Sequence, residues 1–164
     1  MNFKLNPTQQ ITLILALCAL GAIARNLTNF STNLLMHLAA TVGFGLALFY
    51  IFQKISKKTK NIWNTLITCL IIFLVLHLNL QNQDLIYPLI TTFVAIFSKF
   101  YLEPKGSPVI NPVVLGLLVA WGISKIIPGL NAPLISWWGT SYEIPLTGIG
   151  INYAVNFPLA LMII

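Results

Sequence analysis

Long apolar runs separated by short polar loops restrict the fold of this chain more than any other feature. The sequence holds five or six such runs, at 11–24, 34–52, 63–80, 85–100, 109–127 and 146–164. Of the 164 residues, 57% are hydrophobic and 7% are charged, whereas a soluble globular domain carries about 25% charged residues. The pattern predicts an all-α fold: a single integral-membrane domain over residues 1–164, built as a polytopic helical bundle of five to six spans.

The basic residues are concentrated in one loop. Four of the nine, Lys54, Lys57, Lys58 and Lys60, lie together between two apolar runs. An excess of lysine and arginine is typical of the cytoplasmic loops of membrane proteins, so the net charge of +6 indicates orientation rather than nucleic-acid binding. Counting spans outward from this loop predicts a multi-pass protein of the cell (inner or plasma) membrane with a cytoplasmic N-terminus.

The two ends of the chain carry further predictions. The first run follows Lys4 and ends in Ala22-Ile23-Ala24, which resembles a signal-peptidase site. We favour an uncleaved first span over a cleaved signal, because the rest of the chain is equally apolar. The last run reaches Ile164 without a polar or basic flank, which predicts that the membrane domain is incomplete at its C-terminus.

A short polar island lies between the fourth and fifth runs. Residues 98–112 contain two lysines, a glutamate, three prolines and a glycine. Pro112 suits the first position of a helix, and Asn111 is predicted to be the N-cap that accepts a backbone N–H. We therefore expect one span to be broken at this Asn-Pro turn. The positive end of the helix, with Lys99 and Lys105, favours a phosphate or carboxylate ligand. The alternative is an ordinary positively charged loop.

The histidines and the paired tryptophans give weaker indications of a ligand site. His37 and His77 lie on neighbouring runs, but no shared spacing links them, so we predict no metal site. Trp137 and Trp138 are expected to be interfacial anchors, with stacking on a flavin or quinone ring as the alternative. The sequence has no phosphate-binding P-loop, no dinucleotide glycine fingerprint and no nucleophile elbow, and we predict no catalytic residues.

Residues 64–138 resemble the first half of the RnfD/NqrB family. These are the large membrane subunits of Rnf-type electron-transport complexes and of the sodium-pumping NADH:quinone oxidoreductase. The resemblance rests on Ser98-Lys99-Phe100-Tyr101, Lys105-Gly106, Val109-Ile110-Asn111-Pro112 and Leu115-Gly116-Leu117-Leu118, with Asn64-Thr65-Leu66-Ile67-Thr68 upstream and Ser136-Trp137-Trp138 downstream. Ile110 stands where the family usually has phenylalanine, and the chain has room for about one of the family's two similar halves.

The resemblance implies a flavin cofactor, FMN, and partner subunits that deliver electrons. It assigns cofactor contacts to Lys99, Lys105, Gly106, Asn111 and Pro112. Family members attach FMN through its phosphate to a threonine in a Ser-Gly-Ala-Thr-like motif. The nearest counterpart here is Thr147 in Leu146-Thr147-Gly148-Ile149, where the threonine precedes the glycine, and this departure argues against covalent attachment.

The resemblance therefore implies a membrane subunit in electron transport coupled to ion translocation. Such a subunit is either a flavin-carrying or a non-catalytic, flavin-free part of a redox-driven ion pump, with the lipid bilayer and other membrane subunits as its partners. The alternative is a small-solute transporter or channel, since transporters use broken helices at their binding sites. A third hypothesis is a structural membrane protein without a ligand site.

Overall fold

The computed structural model describes residues 5–25, 32–77, 85–103, 110–127 and 134–135. Within these ranges the chain is all-helical apart from two strands of two residues each. The elements are α1 (Pro7–Arg25), α2 (Thr32–Leu38), a π-helical segment (Ala39–Gly43), α3 (Phe44–Ser56), α4 (Ile62–Val75), β1 (Leu76–His77), α5 (Ile86–Tyr101), α6 (Pro112–Ile126) and β2 (Leu134–Ile135). The all-α prediction is confirmed. The sixth predicted run, 146–164, lies outside the described residues.

Polar side chains fix where several helices begin. Asn61 Oδ1 accepts a hydrogen bond from the Trp63 backbone N–H at 3.0 Å and caps α4. Asn111 Oδ1 accepts from the Val113 N–H at 3.0 Å and caps α6, with Pro112 as the first helical residue. The predicted cap is confirmed. The fifth apolar run is, however, not a helix broken at Pro112, because Ile110 and Asn111 are non-helical and the helix begins at Pro112.

Two further differences from the sequence pattern concern the second and third runs. The second run contains a π-helical segment between α2 and α3, which apolar periodicity does not predict. The third run was expected to be helical to about residue 80, but α4 ends at Val75. Leu76 and His77 are extended and pair in antiparallel fashion with Leu134–Ile135, so these two residues form a strand where a helix is predicted.

Close helix contacts depend on two glycines. A Cβ on Gly116 of α6 would lie 2.5 Å from the backbone oxygen of Thr91 in α5, and a Cβ on Gly45 of α3 would overlap Cys69 Sγ of α4. Gly43, two residues before Gly45, has no atom within 4 Å of such a Cβ. Close approach therefore occurs at Gly45 and Gly116, not at every glycine of the apolar runs.

Both the buried and the exposed surfaces of the helices are rich in apolar side chains. The interior combines apolar clusters with hydroxyl side chains, namely Thr12, Thr41, Thr65, Thr68, Thr91, Thr92, Ser98 and Ser124. Large apolar side chains face outward, including Ile11, Ile14, Leu17 and Leu20 of α1 and Ile86, Leu89, Phe93 and Phe97 of α5. Contiguous apolar surface of this kind marks contact with a membrane or with other proteins.

One helical stretch has the length and composition of a membrane span. Leu35–Ser56, with 22 residues, is about 33 Å long at about 1.5 Å per residue, and the hydrocarbon core of a bilayer is about 30 Å thick. The shorter apolar helices of the described ranges are Pro7–Gly21, Ile62–Val75, Ile86–Tyr101 and Pro112–Ile126. One helix that could cross a membrane is thus established, and the multi-pass arrangement stays a prediction.

Candidate functional site

A cavity of about 620 Å³ lies where α4 begins, α5 ends and α6 begins. We call it the lysine cleft. Its polar lining consists of Lys60, Asn61, Asn64, Thr65, Thr68, Lys99, Glu103 and Asn111, and its remaining lining of Ile67, Ile71, Phe100, Pro112 and Val113. The cleft thus joins the lysine-rich loop before α4 to the polar island after α5, which are far apart in the sequence.

Three lysines connect the segments around the cleft. Lys58 Nζ donates a hydrogen bond to the Phe100 carbonyl at 2.7 Å, and Lys99 Nζ donates to the Asn64 carbonyl at 2.5 Å. Lys60 forms an ion pair with Glu103. These contacts hold the loop and the first turn of α4 against the end of α5. The lysine loop, which the sequence indicated only as a marker of orientation, is therefore also a structural part of the site.

The cleft carries net positive charge. Lys60 and Lys99 line it together with one carboxylate, Glu103, which pairs with Lys60. No carboxylate within the described ranges forms an ion pair with Lys99. The starts of α4 and α6, capped by Asn61 and Asn111, add the partial positive charge of two helix N-termini. This combination attracts an anion and offers ammonium donors to it.

The structure brings together three of the residues that the sequence assigned to a site. Lys99, Asn111 and Pro112 all line the cleft. Lys105, Gly106 and Thr147 lie outside the described residues. Sequence reasoning missed Lys60, Asn61 and Glu103. The signal for Asn61 was present, because an asparagine directly before an apolar run is the same capping pattern that identified Asn111.

The other polar residues of the apolar runs take structural positions. The His37 ring lies 5.0 Å from the Phe73 ring, centroid to centroid, and the side chain is buried between α2 and α4. Cys18 and Cys69 are free thiols. The part of the chain that the structure describes contains no group of three or more histidine, cysteine, aspartate or glutamate side chains that could hold a metal ion.

Comparison of the chain with protein-family models, with curated proteins and with solved structures finds no match. The geometry of the lysine cleft and the placement of apolar and hydroxyl side chains are therefore the observations on which a functional proposal rests.

Proposed function

We propose that the chain is a multi-pass membrane protein whose lysine-rich end faces the cytoplasm. The main support is the distribution of side chains on α5, where Ile86, Leu89 and Phe93 are exposed while Thr91 and Thr92 are fully buried. A helix that faces lipid carries its large apolar groups outside and packs through small and hydroxyl side chains inside. Contacts of Lys58, Lys60 and Lys99 join the lysine loop and the start of α4 to the end of α5, and they support the proposal that these segments lie on one side of the membrane.

Helix α4, together with the strand that follows it, is nearly long enough to span a membrane. Helix α4 has 14 residues, or about 21 Å. The extended residues Leu76–His77 that follow it add about 6 to 7 Å. Unpaired backbone groups are costly in lipid, and the pairing of β1 with β2 satisfies part of the backbone beyond the helix. The whole unit then approaches the thickness of the hydrocarbon core.

Within this membrane setting we propose an electron-transport subunit of the RnfD/NqrB kind, working with partner subunits and coupled to ion translocation. The observation that carries this proposal is the convergence of Lys99 and Asn111 on one positively charged cavity, because the resemblance rests on the segments containing both residues. The donors of the cleft fit a phosphate group, and its volume falls in the range of about 300 to 1,000 Å³ typical of cofactor sites.

The lysine cleft is thus our candidate site for FMN. Lys60 and Lys99 would hold its phosphate, while Ile67, Ile71 and Val113 provide an apolar wall for its ring system. Bound FMN would supply one- and two-electron transfer. The chain's own side chains bind and orient this group and keep its phosphate at the lysine-rich end. Non-covalent binding is expected, since Thr147 lacks the surrounding motif.

A flavin assay on the purified full-length protein tests the proposal. We expect about one FMN per chain to be released by denaturation, without fluorescence attached to the protein band in a denaturing gel. The Lys99→Gln variant should retain much less flavin, whereas Lys54→Gln, an exposed lysine outside the cleft, should retain the normal amount. Protein without either extractable or attached flavin would remove the cofactor from the proposed function.

A small-solute transporter or channel is the second candidate. It is favoured by the buried hydroxyls of Thr91 and Thr92, which have no hydrogen-bond partner within the described part of the chain. It is also favoured by the π-helical segment Ala39–Gly43, which lies in the span-length stretch Leu35–Ser56. Such segments are frequent at functional sites. Solute flux into proteoliposomes without any redox partner would favour this candidate over electron transport.

A further inference from the structure

The lining of the lysine cleft changes character along α4. Lys60, Asn61 and Asn64 lie at the start of the helix. Ile67 and Ile71 follow on the cleft side, together with the uncharged hydroxyl residues Thr65 and Thr68. Ile71 is nine residues beyond Ile62, which corresponds to about 14 Å along the axis. A ligand that fills this cavity therefore meets charge at one end and hydrocarbon at the other.

The apolar end continues into the bundle. Val113 of α6 belongs to a buried cluster that includes Ile72 and Leu117, and Ile71 packs against that cluster. An inorganic anion would use only the lysine end and would leave this apolar surface uncovered. An amphipathic ligand buries apolar area there while its charged group stays with the ammonium groups, and both contributions favour binding.

Glu103 occupies the anion position of the cleft in the structure. Its side chain is 10% exposed and pairs with Lys60, whose side chain is 27% exposed. Glu103 follows the last residue of α5, Tyr101, by two positions and is not part of a helix. Its carboxylate can therefore leave Lys60 without the loss of a helical hydrogen bond, and an incoming anion can take its place.

We propose that the lysine cleft binds a phosphate-bearing amphipathic anion, whose phosphate contacts Lys60 and Lys99 and displaces Glu103, and whose apolar part lies along Ile67 and Ile71. The source is either an anionic phospholipid of the lysine-side leaflet or a soluble phosphate ester such as FMN. This inference rests on the membrane placement in the proposed function and is independent of electron transport.

Native mass spectrometry of the full-length protein in detergent tests the proposal. The probes are phosphatidylglycerol, zwitterionic phosphatidylcholine, inorganic phosphate and FMN. Loss of one charged hydrogen-bond donor should weaken binding of the preferred anion about tenfold in Lys60→Gln and in Lys99→Gln. Lys99→Arg keeps the charge and should stay within about threefold of the unmodified protein.

The sign of the Glu103→Gln effect separates a ligand site from a structural ion pair. Removal of the competing carboxylate should tighten anion binding about threefold or more, even though the Lys60 ion pair is lost. Two charge-matched variants serve as controls. Lys54→Gln changes an exposed lysine that does not line the cleft, and Asp84→Asn changes an acid between the third and fourth apolar runs of the sequence. Both should leave binding within about twofold.

Each outcome has a defined meaning. Selective retention of phosphatidylglycerol with this variant pattern supports the proposal with lipid as the source. The same pattern for FMN, without lipid retention, supports it with a soluble source, whereas equal binding of inorganic phosphate overturns it, because phosphate has no apolar part. Binding that is absent, or that falls as much in Lys54→Gln as in Lys99→Gln, overturns it. Extraction of the protein from membranes by an alkaline wash would refute the membrane placement separately, and absence of flavin would affect only the electron-transport proposal.

Discussion

The lysine cleft and the interface between α5 and α6 hold the bundle together by opposite means. At the cleft, which has a volume of about 620 Å³, Lys60 pairs with Glu103 and Lys99 donates a hydrogen bond to the Asn64 carbonyl. At the interface, Gly116 lies so close to the Thr91 backbone that no Cβ fits. The interface has no room for a ligand and contributes to stability, whereas the cleft has room, net positive charge and long adaptable side chains. Substitutions at the interface should therefore change stability, and substitutions at the cleft should change anion binding.

The largest effect is expected from Gly116→Ala. The new Cβ would lie 2.5 Å from the Thr91 oxygen, and backbone cannot yield as a side chain can, so the free energy of unfolding should fall by about 2 kcal/mol or more. Denaturation of the detergent-solubilised protein, monitored by circular dichroism, measures this loss. Gly122→Ala in the same helix meets no atom within 4 Å and should raise stability by up to about 1 kcal/mol. Equal effects of the two substitutions would contradict close packing at Gly116.

Gly45→Ala should have a smaller effect that a second substitution relieves. Its Cβ would overlap Cys69 Sγ and lie 3.1 Å from Thr92 Cγ2, and we expect a loss of about 1 to 2 kcal/mol. Because the main obstacle is a side-chain atom, adding Cys69→Ala should recover part of that loss. The double-mutant cycle should therefore show a coupling of about 1 kcal/mol. Strictly additive changes in the free energy of unfolding would mean that the Cys69 side chain does not restrict the space at residue 45.

Helix composition and caps were predictable because they depend on local sequence. The apolar runs predicted the five helical stretches of the described residues, and Asn111-Pro112 predicted the start of α6 to the residue. The π-helical segment Ala39–Gly43 was not predictable, because it is a backbone irregularity within a uniformly apolar run. The early end of α4 was not predictable either, because it reflects pairing with Leu134–Ile135, nearly 60 residues later in the sequence.

The candidate site was predictable only in part, because some of its contacts join residues that are far apart in the sequence. Lys99 and Asn111 stand close together in the sequence, within a polar island that is itself conspicuous. Lys60 stands about 40 residues earlier, in a loop whose charge already had an explanation in membrane orientation. Its contact with Glu103 depends on the antiparallel return of α5 beside α4, and no local pattern records such a contact.

Two substitutions of Asn111 can separate an effect on stability from an effect on anion binding. Asn111→Ala removes the oxygen that accepts from the Val113 N–H and should cost about 1 kcal/mol of stability. Asn111→Asp retains an acceptor and should preserve stability, but its negative charge in the cleft should weaken anion binding. Denaturation and native mass spectrometry measure the two effects on the same samples. If both variants changed only stability, Asn111 would be a cap without influence on the ligand.

The smallest effect is expected within the lysine loop itself. Lys57 ends α3 with a left-handed backbone, φ 55°, which costs a side-chain-bearing residue about 1 kcal/mol and costs glycine much less. Lys57→Gly should therefore raise the free energy of unfolding by up to about 1 kcal/mol, whereas Lys54→Gly, inside the last turn of α3, should lower it by a similar amount.

Anion binding should be unchanged in Lys57→Gly, because Lys57 does not line the cleft. Loss of binding in this variant as large as in Lys60→Gln would mean that the total charge of the loop attracts the anion. In that case the cleft would have no separate role, and orientation in the membrane would be a sufficient explanation for all four lysines. Retained binding, together with the gain in stability, would show that neighbouring lysines of one loop have different functions because only some of them reach the cavity.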